Sequence, residues 1–308
     1  MSTMELLDAT VPSGYSVSEA REMPDTAASR RAALAGALPR PGRSKAVEAP
    51  RTALRTSGVR PSAAEVSAFA HTVGTTAGNQ LPASYVHVAG FPLALSLLTG
   101  PEFPLPALGM VHIANRVRQA RALHLGEELA YTAWAENLRA HRRGALIDVH
   151  VTADAGTGPV WHGVSTYLAR GVEVPGEPEG SRATWERAAL EAEGLHSWSL
   201  SADTGRRYAE VSGDANPIHT SRIGARLFGF PRPIAHGMYT ASRALAEIGE
   251  PAGGSLEWTA VFGKPVVLPA RVDLEFTREG EAVDYAVLRR NSEDVRLHLS
   301  GRIAQLGG

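Results

Sequence analysis

The sequence predicts an α+β protein made of two tandem copies of one unit, in which an antiparallel sheet wraps a central helix. Each half of the 308-residue chain places a helix pattern before four strand patterns, and a segment rich in Pro, Gly and Glu at 171–182 separates the halves. Equivalent apolar positions keep one spacing, since Val117 to Leu129 and Phe262 to Leu274 are both 12 residues apart. Two unrelated α+β domains are the alternative.

The first predicted domain covers residues 39–172 and follows an N-terminal extension, residues 1–38, with a short helix near 27–38. Pro82 precedes the apolar run SYVHVAGFPLALSLL, which predicts a buried helix. Gly90 and Pro92 in this run predict a break, because proline is tolerated only in the first helical turn. Strand patterns then follow at 110–117, 129–137, 145–153 and 160–169.

The second predicted domain covers residues 195–308, after a linker at 173–194. Pro233 precedes IAHGMYTASRALAEI, which predicts a helix that ends at Gly249. Strand patterns follow at 256–262, 272–277, 283–288 and 295–303. The order of elements therefore repeats that of the first domain.

Composition excludes several classes of protein. Hydrophobic residues make up 44% and charged residues 20%, so the chain can bury a sizeable core. The 31 Lys+Arg and 32 Asp+Glu give a net charge of -1, which argues against a nucleic-acid or membrane-surface binder. The absence of cysteine excludes disulfides, a catalytic thiol and thiolate zinc sites. No apolar stretch approaches the roughly 20 residues of a membrane span and the N-terminus lacks a signal pattern, so we expect a soluble, cytoplasmic protein.

The residues suited to chemistry lie just after a helix predicted at 204–211, with Asp203 as its N-cap. Pro217 directs the preceding residue away from helical angles, so Asp214 and His219 are expected on a constrained, non-helical segment. A carboxylate and an imidazole five residues apart can form an acid/base pair. From spacing alone, a simple turn capped by the aspartate is the alternative.

The stretch SGDANPIHTSRIGARLFGFPRPIAHGMYTASRAL resembles the hydratase motif of the MaoC-like dehydratases, also called (R)-specific enoyl-thioester hydratases. That motif consists of GDxNPxH, then GFxxPIxHGM, then a helix. Every fixed position is matched here, at Gly213, Asp214, Asn216, Pro217, His219, Gly229, Phe230, Pro233, Ile234, His236, Gly237 and Met238. The first half resembles, less sharply, the N-terminal domain of two-domain members from actinobacteria.

The resemblance implies a double hot-dog fold, with a long central helix inside a curled antiparallel sheet in each unit. It implies that Asp214 and His219 are the catalytic pair and that Gly237 binds the thioester oxygen through its N–H. The start of a helix suits an oxyanion because its N–H groups are free and its dipole end is positive. Asn216, His236 and Met238 complete the predicted substrate-binding set. Asn216 is also expected to orient the turn, and a capping or packing role is the alternative for His236.

The implied activity is reversible syn addition of water to a trans-2-enoyl thioester of fatty-acid metabolism, which gives the (3R)-hydroxyacyl thioester. No cofactor and no metal are expected. The first half lacks the motif, so we expect it to shape the acyl pocket. Two alternatives are a non-catalytic thioester-binding subunit of a dehydratase complex and a dehydratase for polyketide-like substrates.

The expected partner is an acyl thioester of coenzyme A or of acyl carrier protein. An arginine patch near the motif could bind either the nucleotide phosphates or the acidic helices of a carrier, and a solvated face is the alternative. Its candidate members are Arg222, Arg226, Arg232 and Arg243. A homodimer of double hot-dog chains is the expected assembly, and no nucleic-acid or membrane partner is expected.

Overall fold

The computed structural model describes residues 7, 9–36, 48–178, 193–290 and 294–306. The chain divides into two compact units assembled from interleaved segments. The first unit consists of Met1–Arg60, Ala89–Asn115 and Glu127–Glu186, and the second of Pro61–Val88, Arg116–Gly126 and Arg187–Gly308.

The helices are α1 (Thr26–Gly36), α2 (Ala63–Val73), α3 (Ala83–Thr99), α4 (Thr204–Ser212), α5 (Pro217–Thr220), α6 (Arg222–Leu227) and α7 (Gly237–Ile248), with a 3-10 turn at Ala252–Gly254. The strands are β1 (Ser16–Ala20), β2 (Thr52–Val59), β3 (Gln80–Leu81), β4 (Val111–Gln119), β5 (Leu123–His124), β6 (Leu129–His141), β7 (Gly144–Asp154), β8 (Pro159–Arg170), β9 (Gly194–Leu200), β10 (Leu256–Phe262), β11 (Ala270–Glu279), β12 (Ala282–Arg290) and β13 (Val295–Ala304).

The sheet of the first unit has the order β1-β2-β6-β7-β8-β4. Its strands from β2 to β8 pair antiparallel, and β1 runs parallel to β2. The C-terminal part of α3 packs closely on this sheet at Gly90. A Cβ atom there would lie 2.8 Å from Cγ1 of Val151 and 3.0 Å from Cδ1 of Tyr131. The glycine therefore lets the helix approach the sheet.

The sheet of the second unit has the order β10-β13-β12-β11-β9 and is antiparallel throughout. It wraps α7, whose buried side chains include Met238, Ala241 and Leu245. Two of the buried aromatic side chains in this core are joined by hydrogen bonds. Trp258 Nε1 donates to the Tyr285 hydroxyl at 2.7 Å, and that hydroxyl donates to the Thr259 carbonyl at 2.8 Å.

The α+β class, both central helices and all eight predicted strands are confirmed, with ends that differ by three residues or fewer except for the longer β6. The predicted break in the first central helix is wrong. Pro92 lies inside α3, which continues from Ala83 to Thr99. Proline removes one helical hydrogen bond there, and the buried residues Leu93, Leu97 and Leu98 anchor the helix beyond it.

Several elements were not predicted from the sequence, among them β1, β2, β9 and α2. The sequence does contain a signal for α2, because Ser62 and Glu65 form a capping box. This helix and the start of α3 belong to the second unit. The predicted domain limits at 38, 172 and 194 remain a prediction, and residues 179–192 of the linker lie outside the described residues.

Candidate active site

The turn after α4 holds the Asp214 carboxylate. Gly213 ends the helix in the left-handed conformation, with φ 72°, which favours glycine. Ser212 Oγ then accepts from the Asp214 N–H at 3.2 Å, and Asp214 Oδ1 accepts from the Asn216 N–H at 3.3 Å. Asn216 Oδ1 accepts in turn from the Ile218 N–H at 3.2 Å, so this side chain caps the start of the segment that follows. Successive side-chain caps fix the position of the carboxylate.

The start of α4 differs from the prediction. Asp203 makes no side-chain cap to the helix, and its carboxylate accepts a hydrogen bond from Ser201 Oγ instead. Gly205 in the first turn packs directly on the segment that follows. A Cβ atom on Gly205 would lie 2.2 Å from the carbonyl oxygen of His219. This close approach holds α4 against the backbone that carries the imidazole.

His219 lies in the short helix α5, so the expectation of a non-helical segment for this residue is wrong. Pro217 provides the first residue of that helix, where its missing N–H costs nothing, and Asn216 caps it. The buried imidazole donates from Nδ1 to the Ile234 carbonyl at 2.8 Å. A carbonyl can only accept, so Nδ1 carries the proton and Nε2 of the neutral ring keeps a lone pair.

His236 supports both members of the predicted pair. Its Nε2 donates to the Asp214 carbonyl at 2.7 Å and lies 3.8 Å from the carboxylate oxygen Oδ2. Its ring stacks on His219 with centroids 3.6 Å apart. The residue precedes α7 without a side-chain cap and is only 2% exposed. The packing alternative therefore describes its contacts better than direct contact with substrate.

The electrostatic environment keeps both rings neutral near pH 7. Burial and, to a smaller extent, the neighbouring His236 lower the pKa of His219 to about 3, although Asp214 opposes the shift. Burial also lowers the pKa of His236, again opposed by Asp214. A buried imidazole loses hydration of its charged form, which is the physical cause of both shifts. His219 Nε2 is therefore a proton acceptor at neutral pH.

Asp214, His219 and His236 each bring one potential ligand atom to within 4.8 Å of the others. A metal bound through Nε2 of His236 would require the loss of its hydrogen bond to the Asp214 carbonyl. The prediction of no metal stays a prediction.

The first residues of α7 complete the predicted binding set. Gly237 has no room for a side chain, since a Cβ atom would lie 2.8 Å from Cδ1 of Phe262. As the first helical residue, Gly237 has an N–H without an intrahelical acceptor. Gly237 is half-buried, whereas Met238 is 7% exposed. The glycine thus offers a backbone donor at the helix N-terminus beside the paired histidines.

Aromatic residues that the sequence did not single out form the wall behind His236. The Tyr208 ring lies 5.0 Å from the His236 ring, and Phe69 of α2 lies 6.5 Å from Tyr208. Burial raises the pKa of Tyr208, and the Ser242 side chain opposes this rise. Both side chains are buried. Tyr208 and Ser242 are polar residues on the buried faces of α4 and α7, and such positions are the sequence signal that could have indicated them.

His87 of α3 interacts electrostatically with Asp214. Burial lowers the pKa of His87 to about 4, and the Asp214 carboxylate opposes this shift. The imidazole therefore lies within electrostatic reach of the Asp214 carboxylate. In the sequence it is a single histidine in an apolar helix, far from the motif, so nothing local indicates it.

The four arginines of the predicted patch separate into two groups. Arg243 is engaged, because it donates to the Tyr239 hydroxyl at 3.1 Å, lies 3.8 Å from Glu247 and covers the Trp198 ring. Arg222, Arg226 and Arg232 are exposed, and none forms an ion pair with any residue that the structure describes. Arg243 is therefore not a member of the patch.

Comparisons with known proteins identify the family of this chain. Residues 189–295 match the model of the MaoC like domain. A relative in Mycobacterium tuberculosis named 3-hydroxyacyl-thioester dehydratase X is 37% identical over 244 residues, which cover 79% of this chain and 85% of the relative. The chain belongs to the MaoC-like dehydratase family.

Solved structures support the same assignment. The crystal structure of HtdX from M. tuberculosis is similar, with a TM-score of 0.70 and 33% identity over 82% of this chain and 99% of that chain. An M. tuberculosis protein described as having a double hot-dog fold gives a TM-score of 0.52 at 16% identity, over 80% of this chain and 93% of that chain, which bears on the fold alone. This MaoC-like dehydratase has the double hot-dog fold. Among its described residues, no helix is long and apolar enough to cross a membrane.

Proposed function

We propose that this protein is a (3R)-hydroxyacyl-thioester dehydratase, equivalently an (R)-specific enoyl-thioester hydratase of fatty-acid metabolism. The observation that carries the proposal is the convergence of Asp214 with a neutral His219 beside the N-terminus of α7. The M. tuberculosis relative bears the name of a 3-hydroxyacyl-thioester dehydratase, which supports the reaction class.

In the hydration direction, His219 Nε2 accepts a proton from water as the water oxygen bonds to C3 of the enoyl group. The C2–C3 π electrons shift toward the thioester, whose oxygen becomes negatively charged. The Asp214 carboxylate positions the water and balances the charge of the imidazolium. The proton on His219 then passes to C2 on the same face, which gives syn addition and returns the pair to its starting state. Dehydration follows the same steps in reverse.

The Gly237 N–H binds the thioester oxygen while its negative charge develops. A donor fixed at a helix N-terminus pays no reorganisation cost during the reaction, and the helix dipole adds to its effect. Asn216 and His236 hold the two halves of the acid/base pair in position, and Met238 is buried at the start of α7. No step requires a cofactor.

The thioester carrier is coenzyme A or acyl carrier protein, which share the arm that ends in the thioester. A homodimer of double hot-dog chains and a cytoplasmic location remain part of the proposal. The non-catalytic alternative explains the site poorly, because a binding module has no use for a buried neutral imidazole next to a carboxylate.

Loss of the absorbance of a conjugated enoyl thioester tests the proposal directly. We expect purified protein alone to hydrate crotonyl-CoA, and Asp214→Asn and His219→Gln to lower kcat by about 10²–10⁴-fold. The exposed His71 of α2 provides the matched control, and His71→Gln should keep the wild-type rate. Folded site variants with wild-type rates would refute the catalytic roles. Wild-type protein that acts only with a second protein present would instead identify a non-catalytic subunit.

A further inference from the structure

The chain segment between His219 and His236 in the sequence carries an exposed surface that combines arginines with large apolar side chains. We define the α6 surface by its exposed residues Arg222, Ile223, Arg226, Leu227 and Arg232. Ile223 and Leu227 are 75% and 79% exposed, and their spacing of four places them on one face of α6. No Asp or Glu occurs from residue 215 to residue 246, so the nearby sequence supplies no counter-charge.

The α6 surface is preformed and joined to the site. Ser221 Oγ caps α6 by accepting from the Gly224 N–H at 3.2 Å, and a Cβ atom on Gly224 would lie 2.4 Å from Cβ of Pro217. The segment that follows α6 is held against α5 by a hydrogen bond, which the Ile234 N–H donates to the Ile218 carbonyl at 3.1 Å. Ile234 also accepts the hydrogen bond of His219. The base of this surface is therefore the backbone that holds the catalytic imidazole.

The composition of the α6 surface is unfavourable for an isolated molecule. Arg222 and Arg226, four residues apart on one helix, repel each other. Two large apolar side chains exposed side by side mark an interaction site when polar residues surround them. Phosphates of a nucleotide would use the arginines and would leave Ile223 and Leu227 uncovered. An acidic protein surface with an apolar centre would pair with the arginines and cover both apolar residues.

We propose that the α6 surface docks an acidic carrier protein that delivers the acyl thioester to His219. This inference rests on the proposed function and selects the protein-bound thioester among its possible carriers. Arginine side chains at the edge of such an interface speed association, and the apolar pair supplies the buried centre. Because the charges are exposed, binding weakens as ionic strength rises.

The test compares one crotonyl group on three carriers: acyl carrier protein, coenzyme A and N-acetylcysteamine, the last lacking both protein and nucleotide. The variants are Arg222→Glu/Arg226→Glu and Ile223→Ser/Leu227→Ser. We expect kcat/KM for crotonyl-acyl carrier protein to fall about 10- to 100-fold in each. Turnover of the N-acetylcysteamine thioester should stay within about twofold of wild type. Arg142→Glu is the matched control, because Arg142 is an exposed arginine of the first unit that forms no ion pair with the part of the chain that the structure describes.

Each other outcome has its own meaning. An equal or larger loss with crotonyl-CoA would overturn the inference and assign the arginines to nucleotide phosphates. No loss with any carrier, or a change of oligomeric state in the variants by light scattering, would overturn it as well. If wild-type protein turns over none of the three thioesters, the proposed function itself fails. The two failures are therefore distinguishable.

Discussion

The imidazoles of His219 and His236 stack 3.6 Å apart, and each donates its single proton to a backbone carbonyl. His219 donates to Ile234 and His236 donates to Asp214, so the pair joins the turn after α4 to the segment before α7. Two charged rings at this distance would repel strongly in a buried site. The stack is therefore stable only while at least one ring is neutral, which makes His236 a positioning residue that also controls the pKa of His219.

The variant His236→Asn tests that role. Asparagine keeps a donor for the Asp214 carbonyl but removes the stacked ring, so we expect kcat to fall about 10- to 100-fold through misplacement of the pair. His236 lowers the pKa of His219, so its removal should raise that pKa and move the acidic limb of the kcat/KM profile to higher pH. A kcat/KM profile that extends down to the His219 pKa of about 3 and up to neutral pH, with circular dichroism to confirm folding at each pH, checks both. An unchanged acidic limb would show that the ring has a packing role alone.

Gly205 provides a test of the contact between α4 and α5. A Cβ atom there would lie 2.2 Å from the His219 carbonyl oxygen, so Gly205→Ala must push the two segments apart. We expect a loss of about 1–3 kcal/mol in the free energy of unfolding and a marked fall in kcat. Gly78→Ala is the matched control, because Gly78 is exposed with nothing within 4 Å of the added atom. Equal stability and activity in the two variants would contradict this account.

The sequence alone predicted the candidate site residues that lie close together along the chain. Asp214, His219 and Gly237 lie within one motif whose turn chemistry is visible as Gly, Asn and Pro. His87 and Phe69 were missed because they come from residues 61–88, which join the second unit through tertiary packing. No local sequence pattern indicates that residues 61–88 pack with the second unit. Pro92 was misjudged for a related reason, since burial of the residues that follow it preserves a helix that proline alone would end.

Ionisation of the Glu250 carboxyl is expected to lower the free energy of unfolding as the pH rises. Burial raises the pKa of Glu250 to about 7, although its carboxylate accepts from the Ala83 N–H at 2.8 Å. Between about pH 4.5 and pH 7 the unfolded chain ionises this group while the native protein keeps it protonated, so the unfolding free energy falls with increasing pH. Glu250→Gln keeps the acceptor without the charge.

We expect Glu250→Gln to gain about 1–3 kcal/mol at pH 8 and nothing at pH 4. The gain stays below the full linkage value because the N-terminus of α3 favours the carboxylate. Urea unfolding at both pH values measures it, with the exposed Glu281→Gln as the matched control. Destabilisation at pH 8 would show that the carboxylate is charged and favourable in the native protein.

Buried histidines should make the protein lose stability in mild acid. Burial lowers the pKa of His87 to about 4 and that of His219 to about 3, and it lowers the pKa of His236 as well. Below about pH 6.5 the unfolded chain binds protons at these positions that the native protein does not, so the unfolding free energy falls with decreasing pH. Each histidine contributes at most about 2 kcal/mol between pH 7 and pH 5.

Urea unfolding of wild type and His219→Gln at pH 5, 6 and 7 measures this contribution. The glutamine cannot bind a proton in either state, so the difference in unfolding free energy between pH 7 and pH 5 should shrink by about 1–2 kcal/mol. The exposed His71→Gln should leave the difference unchanged, because it removes a histidine that is not buried. If both variants match wild type in their pH dependence, then native His219 takes up a proton as readily as the unfolded chain, and its assignment as a neutral proton acceptor is lost.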